Sequence, residues 1–399
     1  MGFATSSFQS LSLADRSAAI GRAARALLES QAVVFPTETV YGVAVNANSQ
    51  LALEFLAALR RPGLEPDPTK PWLGRAPWTW HASSVVSVLR SMPIARPVHR
   101  RLIESLAPGP VRFVFELSES QAAAAVTKIG SLPGALEGVP GPAANGVPSS
   151  WTIAVRVPRH EIAAAVIAQV PGPVVVERLS RFGWGENLSS PGLLESAAAA
   201  GVQVVIDDGP GDERRASTSI GLSPSGYRVL EVGAVSERAV KRAATRAVLF
   251  VCTGNTCRSP MAAAAAQHLL KAEADLTRSG IETTAASAGV AASDGQPMTS
   301  EAMDALADLG VAARPNRSRQ LTRPMIDEAE VIYVMTGAHR DAVLSIDRGS
   351  ASKLVLLDPA GRDVPDPYGG PPSVYAAAAK RIVDVVRRRL AELDSETKA

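Results

Sequence analysis

The chain has 399 residues, 46% of them hydrophobic, 20% charged and 5% aromatic, which at about 150 residues per domain suggests two or three domains and excludes a fibre, a peptide or a wholly disordered chain. Its 41 Lys and Arg against 39 Asp and Glu leave a formal charge of +2, so no overall field holds nucleic acid or an anionic membrane, and any phosphate binding must be local. No long apolar run and no leader pattern is present, so the expectation is a cytoplasmic protein with no membrane partner; Met1-Gly2-Phe3-Ala4-Thr5-Ser6 fits only the short myristoylation pattern, which recurs by chance.

In chain order, residues 14–30 read as an amphipathic helix, 32–35 as a buried strand and 51–60 as another helix, the start of an α+β or α/β pattern. Val33-Val34-Phe35-Pro36-Thr37-Glu38-Thr39-Val40-Tyr41-Gly42 is a strand running into a hydroxyl-rich turn. Thr37 and Thr39 there either hold a small polar ligand or cap the turn. From Ser118 to Ser150 the composition shifts to Ala, Gly, Pro and Ser, and an irregular surface insertion is expected. Strand-like runs return at 152–157, 173–176 and 202–206, and the section closes near 227–232. Ser236 to Arg246, rich in Arg, Lys and Ala, reads as a short helical linker with a solvated basic face. The expected division is 14–233, a linker at 234–246, and 247–394.

Further pieces of the first section follow in order: Arg61-Pro62, Lys70-Pro71, Pro108-Gly109-Pro110, Ala154-Val155-Arg156-Val157-Pro158, Asp208-Gly209 and Ser217-Thr218. With the Val33 to Gly42 string they resemble threonylcarbamoyl-AMP synthase, the YrdC-like family that prepares a tRNA modification from threonine, bicarbonate and ATP. The resemblance covers about residues 18 to 233. It implies a YrdC-like α/β twisted-sheet domain, a ligand site on Thr37, Thr39, Tyr41, Arg61, Lys70, Arg156 and Ser217, and RNA or a nucleotide as partner. The chain departs from the family pattern at several charged positions. Leu59 stands where a lysine precedes Arg-Pro, Glu231 replaces a late arginine, Arg112 replaces the threonine after Pro-Gly-Pro, and the Ser-Ala-Asn loop due near Val176 to Ser180 is absent. Losing two cations and gaining a carboxylate weakens polyphosphate binding, so the fold is expected to be kept and the synthase activity lost or altered. The cluster Arg96, His99, Arg100 and Arg101 reads as a solvated helix face or as a cleft for double-stranded RNA.

The second section opens with residues 247–251, an uninterrupted apolar run expected of a parallel strand covered on both faces. Helices at 261–272, 300–309 and 372–393 alternate with strands at 284–288, 331–335 and 353–357, the order of a doubly wound parallel sheet. Both cysteines of the chain, too few for a disulfide framework, fall in Cys252-Thr253-Gly254-Asn255-Thr256-Cys257-Arg258-Ser259-Pro260. This loop joins a strand to a helix, where such sheets bind ligands. Gly254 and Asn255 accept unusual dihedrals, so the backbone N–H groups of the loop can turn inward as an anion nest above Cys252, aided by the helix N-terminus. Those dipoles and Arg258 favour the Cys252 thiolate over the free thiol. Arg258 can fork two donors onto a phosphoryl group, which lysine cannot do as well. The leaving group needs a proton, and Asp366, held extended by Pro367 in a turn-rich segment, is the candidate acid; Tyr368 beside it could form a pocket wall. No metal or other cofactor is called for.

The C-x5-R-S-P loop with the distant Asp366-Pro367-Tyr368, flanked by Ser287-Ala288-Gly289 and Met335-Thr336, resembles the low-molecular-weight protein tyrosine phosphatase family over about residues 246 to 394. The resemblance implies that Cys252 forms a phosphocysteine, Arg258 clamps the phosphoryl group, Ser259 donates to the thiolate, Asn255 holds the strained loop, and Asp366 acts as acid and then as base for water. The loop residues Thr253, Gly254, Asn255, Thr256, Cys257 and Ser259 would surround the phosphate of a phosphorylated protein substrate. Thr256 stands where tyrosine-directed members carry isoleucine, and the loop is similar to that of bacterial protein arginine phosphatases. A small hydroxyl side chain suits a polar guanidinium better than a phenyl ring. Cys257 reads as a resolving thiol for oxidised Cys252 or as a packed side chain. The whole chain is expected to be a phosphatase for phosphoarginine or phosphotyrosine with an N-terminal ligand- or RNA-binding module. The alternative is a threonylcarbamoyl-AMP synthase-type tRNA-modification protein fused to a phosphatase.

Overall fold

The computed structural model describes residues 12–59, 78–132, 135–138, 151–184, 193–209, 215–277, 279–313 and 316–396. The expected ligand residues Arg61 and Lys70, the myristoylation-like start and residues 139–150 of the expected insertion lie outside them. The chain forms two compact units, residues 1–243 and 244–399. Among the described residues no helix is long and apolar enough to cross a membrane.

The first unit is built on a mixed sheet whose described strands are β1 (Val33–Phe35), β2 (Gly42–Asn46), β3 (Thr79–His81), β4 (Val111–Leu117), β5 (Glu137–Gly138), β6 (Trp151–Arg156), β7 (Val174–Arg178), β8 (Val204–Val205), β9 (Thr218–Ser223) and β10 (Gly226–Glu231). They run in the order β10-β9-β4-β6-β3-β7-β2-β1-β8, with β5 on β6. β1 and β2 pair antiparallel around the hydroxyl-rich turn, whereas β3 pairs parallel to β6. The valine runs of β1 and β7 are apolar throughout because both faces are covered. Helices Leu13–Leu28 and Glu161–Ala168 bury Ala23, Leu27, Ile162 and Val166 against Phe35, Val174 and Val176.

The stretch expected to be irregular from Ser118 begins instead with a regular helix, Glu119–Ile129. Ser118 accepts from Gln121 N–H while the Gln121 side chain accepts from Ser118 N–H, a reciprocal cap, and Gly130 closes the helix at φ 76°. Ala-rich text was therefore helix-forming here, not irregular.

The second unit carries four parallel strands, β11 (Thr245–Cys252), β12 (Glu282–Gly289), β13 (Val331–Val334) and β14 (Leu354–Leu356), in the order β12-β11-β13-β14. Side chains of β11 alternate between two cores. Val248 and Phe250 pack with helices Arg258–Ala272, Ser300–Ala307 and Pro372–Glu396. Leu249 and Val251 pack on the other face with Ile326 and Val343 from helices Arg323–Glu328 and Gly337–Ile346. The doubly wound arrangement follows. Truncating Phe250, which is fully buried, to alanine would cost about 3–5 kcal/mol.

Two local expectations change. β11 starts at Thr245, and Arg246 is not on a solvated face: it is 6% exposed, donating to Glu330 at 3.3 Å and to the Leu393 carbonyl at 2.9 Å. The helix after the loop starts at Arg258 rather than Met261, because Pro260 lies in its first turn, where a missing N–H costs nothing.

Candidate active site

β11 ends at Cys252, and the chain turns through Thr253–Cys257 into the Arg258–Ala272 helix. The turn needs a left-handed residue, and Asn255 supplies it at φ 56°, fully buried. Its side chain holds that strained shape from both ends: Nδ2 donates to Ser259 Oγ at 2.9 Å, and Oδ1 accepts from Arg319 N–H at 2.9 Å. The loop also leans on the end of β12. Val290 and Ala291 donate their N–H groups to the Cys252 and Thr253 carbonyls at 2.9 and 3.0 Å. A Cβ on Gly289 would collide with the Thr253 carbonyl oxygen and with Asn255 N, so only glycine fits there.

The Cys252 sulfur is buried beneath this loop, 2.9 Å from Ser259 Oγ and accepting from Asn255 N–H at 3.3 Å. Ser259 reaches the Ala288 carbonyl at 3.2 Å. Arg258 is 5% exposed and spans to the loop after β14, donating to the Val364 carbonyl at 3.2 Å and to Asp366 Oδ2 at 2.6 Å. Asp366 is half-exposed, and its other oxygen accepts from Tyr368 N–H at 3.3 Å. These groups open onto a cleft of about 570 Å³, lined also by Thr253, Gly254, Thr256, Met298 and Tyr368. Tyr368 is 73% exposed at its mouth. A thiol, an arginine and a carboxylic acid thus face one cavity from two loops at the same end of the sheet.

Cys257 also lines this cleft. It is 4% exposed, 3.5 Å from Thr299 Oγ1 and 3.8 Å from the Tyr375 hydroxyl, and both cysteines are free thiols. Burial and the Cys257 hydrogen bond push the Tyr375 hydroxyl up.

His339, Thr336, Arg319 and Asp363 were not singled out as site residues from sequence. His339 is buried, with Nε2 at 2.9 Å from Thr253 Oγ1 and Nδ1 at 2.7 Å from Thr336 Oγ1. Burial, then the Arg258 charge, hold its pKa below the ordinary 6.5. Asp363 accepts from Gly337 N–H at 3.0 Å, tying the acid-bearing loop to the same helix. The readable signal was Thr-x-x-His at a helix start, an N-cap with histidine on its first turn.

In the first unit Thr37, Tyr41, Arg156 and Ser217 line a second cavity of about 90 Å³ with Arg112, Arg178, Arg181, Glu177 and Glu231. Thr39 lies behind Thr37, 3.0 Å between hydroxyls, and Thr37 Oγ1 donates to the Val40 carbonyl at 2.6 Å, so the turn closes on itself. The Tyr41 hydroxyl donates to the Gly209 carbonyl at 2.6 Å and accepts from Asp208 N–H at 2.9 Å. Arg156 pairs with buried Glu38 at 3.0 Å. Burial alone would raise the Glu38 carboxyl, but the Arg156 charge and backbone hydrogen bonds outweigh it and hold it below the ordinary 4.5. Loss of hydration lowers Arg112 to about 10 and His81 to about 3. Of the basic cluster, His99 is 1% exposed and bonded to the Gly226 carbonyl at 2.9 Å, while Arg100 faces Glu104 at 3.5 Å.

Comparison with known proteins follows the two units. A family model described as low molecular weight phosphotyrosine protein phosphatase matches residues 247–399, and one described as telomere recombination, of the Sua5, YciO and YrdC proteins, matches residues 25–233. A protein-arginine-phosphatase of Geobacillus stearothermophilus is 35% identical over 153 residues, 37% of this chain and 97% of that protein. The low molecular weight protein-tyrosine-phosphatase PtpB of Staphylococcus epidermidis is 30% identical over 141 residues, 35% of this chain and 93% of that protein. The solved structure of the YwlE arginine phosphatase from Geobacillus stearothermophilus is 34% identical, covering 38% of this chain and 94% of its own, with a TM-score of 0.34. With a family model over each unit and a relative matched along nearly its whole length, the chain belongs to the low molecular weight phosphotyrosine protein phosphatase family through its second unit and to the Sua5, YciO and YrdC family through its first, and it is a hydrolase of the phosphatase class.

Proposed function

We propose that the chain removes phosphoryl groups from phosphoarginine or phosphotyrosine on proteins through a phosphocysteine. The observation that carries this reading is the convergence of Cys252, Arg258 and Asp366 on one cleft, with Ser259 and the Asn255 N–H on the sulfur. In the first step the Cys252 thiolate attacks phosphorus and the P–N or P–O bond breaks. Asp366 gives its proton to the departing nitrogen or oxygen. In the second, water attacks phosphorus, the P–S bond breaks, Asp366 takes the water proton and inorganic phosphate leaves. Arg258 must first leave Asp366 for two phosphoryl oxygens, a bidentate exchange of one anion for another. Backbone N–H groups of Thr253 to Cys257 complete the cradle.

Thr256 supports phosphoarginine as the preferred substrate, since its hydroxyl faces a polar leaving group better than an isoleucine would. The test is kcat/KM on matched phosphoarginine and phosphotyrosine peptides, with Cys252→Ser as blank. Cys252-dependent preference for phosphoarginine is expected; preference for phosphotyrosine removes the Thr256 argument and keeps the mechanism. Turnover unaffected by Cys252→Ser removes both.

A second reading, a tRNA-modification synthase joined to a phosphatase, is favoured by the family match over residues 25–233. Against it stand Leu59, Glu231 and Arg112, the last two on the cavity wall. Binding of ATP or double-stranded RNA by the Cys252→Ser full chain tests it: tight, saturable binding revives the synthase reading, and none leaves the module to a smaller ligand.

A further inference from the structure

The loop carries one exposed hydroxyl whose direction is fixed from outside the loop. Thr253 is exposed and lines the cleft beside Arg258, and its Oγ1 lies 2.9 Å from His339 Nε2. The far side of that ring meets Thr336, the N-cap of the Gly337–Ile346 helix. Thr336 Oγ1 accepts from His339 N–H at 3.3 Å and lies 2.7 Å from His339 Nδ1.

The protons in this chain can be assigned in order. The capping oxygen of Thr336 accepts a backbone N–H with one lone pair, and donation of its own hydroxyl proton to the imidazole is the arrangement that leaves the other ring nitrogen as a donor toward Thr253. In that arrangement Thr336 donates to Nδ1 and the neutral ring carries its proton on Nε2. Burial, then the Arg258 charge, lower the His339 pKa and so favour the neutral ring, with Asp366 and Asp363 opposing. Nε2–H donates to Thr253 Oγ1. Among the described residues no other acceptor then takes the Thr253 hydroxyl proton, which can turn toward the cleft, where the charge of a phosphoryl group would lie.

We propose that the Thr253 hydroxyl donates a hydrogen bond to a phosphoryl oxygen of the substrate, and that His339, oriented by Thr336, is the positioning residue that turns it there. This deepens the phosphocysteine reading and rests on it. It adds one side-chain donor to the backbone nest and Arg258, and it ties that donor to the helix that also holds the acid-bearing loop through Asp363 and Gly337.

The experiment uses the full chain and para-nitrophenyl phosphate. Thr253→Val, which keeps the shape and removes the hydroxyl, is expected to lower kcat/KM about 10-fold, as for a hydrogen bond to a charged group, while Thr253→Ser stays within about 2-fold. His339→Ala should cost a similar factor in the parent and under about 2-fold more in the Thr253→Val background, because the two act through one bond. His339→Gln, which retains a side-chain N–H, should recover most of the His339→Ala loss. Independently of activity, ¹⁵N imidazole spectra should show His339, assigned by its loss in His339→Gln, protonated on Nε2 alone at neutral pH. Protonation on Nδ1 alone overturns the relay, and full additivity of the two substitutions overturns the coupling. Cys252-dependent turnover undiminished by Thr253→Val overturns this inference alone, whereas turnover that survives Cys252→Ser overturns the underlying reading and this inference with it.

Discussion

Each unit sets an arginine against a carboxylate at its cavity, and the two pairs differ in where the carboxylate is anchored. The arginines are equally hidden, with side chains 7% exposed for Arg156 and 6% for Arg258. Glu38 is 2% exposed and pinned by the N–H groups of Arg159 and His160 at 3.2 and 3.3 Å, whereas the Asp366 side chain is 49% exposed on a loop. Opening the first pair would strand a charge out of water. Opening the second leaves a carboxylate that water can take up. The anchoring of the anion, not the burial of the cation, decides which arginine is available to an incoming phosphate.

The largest effect that tests this contrast is at the sulfur. Cys252→Ser should lower kcat/KM by about 10⁴-fold or more, as for other nucleophiles that act as a unit with their neighbours; a loss under about 10-fold would place the chemistry elsewhere. Next comes the pinned pair. Glu38→Ala should destabilise the first unit by about 3–5 kcal/mol, read from denaturant unfolding, because Arg156 is left buried and unpaired. Acid should act in the same direction. Since the Glu38 carboxyl is held below its ordinary 4.5, the unfolded chain binds that proton more readily, so the pair's stabilisation is complete above that value and is lost as pH falls through the depressed folded value. An unfolding midpoint for the first unit insensitive to acid would break the comparison. Arg258→Lys should then lower kcat/KM about 10²-fold with the fold intact, since a point charge replaces a fork. The smallest shift is Thr256→Ile, which should move the preference between phosphotyrosine and phosphoarginine peptides by about 10-fold, the usual weight of one or two pocket contacts.

The second unit was largely legible because its chemistry is local in sequence. A strand, a five-residue turn and a helix follow one another from Thr245 to Ala272, and each carries its own signal: the apolar run at 247–251, a residue tolerant of positive φ, and a first-turn proline. What was not legible is long-range. His339 lies 86 residues from Thr253, and nothing in its own neighbourhood says that the helix it starts ends beside the loop. Arg319, which fixes Asn255, sits in a loop with no pattern of its own. In the first unit, three-residue strands such as β1 and β3 are too short to show a period, and β3 is placed between β6 and β7 by pairing that only the fold reveals. The Glu119–Ile129 helix was lost for the opposite reason, since its Ser-x-x-Gln cap was in plain sight but its alanines were read with the Gly and Pro that follow.

The position of β11 carries a consequence for time scales. It is bonded on one side to β12, from Thr245 to Cys252, and on the other to β13, from Val248 to Val251. A strand flanked on both sides exchanges its amide hydrogens only when the whole unit opens. The amides of Leu249 to Val251 should therefore be among the slowest in the chain to take up deuterium, while those of edge strand β14 exchange earlier. Fraying of the sheet rim leaves the strand leading into Cys252 untouched, so the Cys252 end of β11 persists as long as the unit itself stays folded.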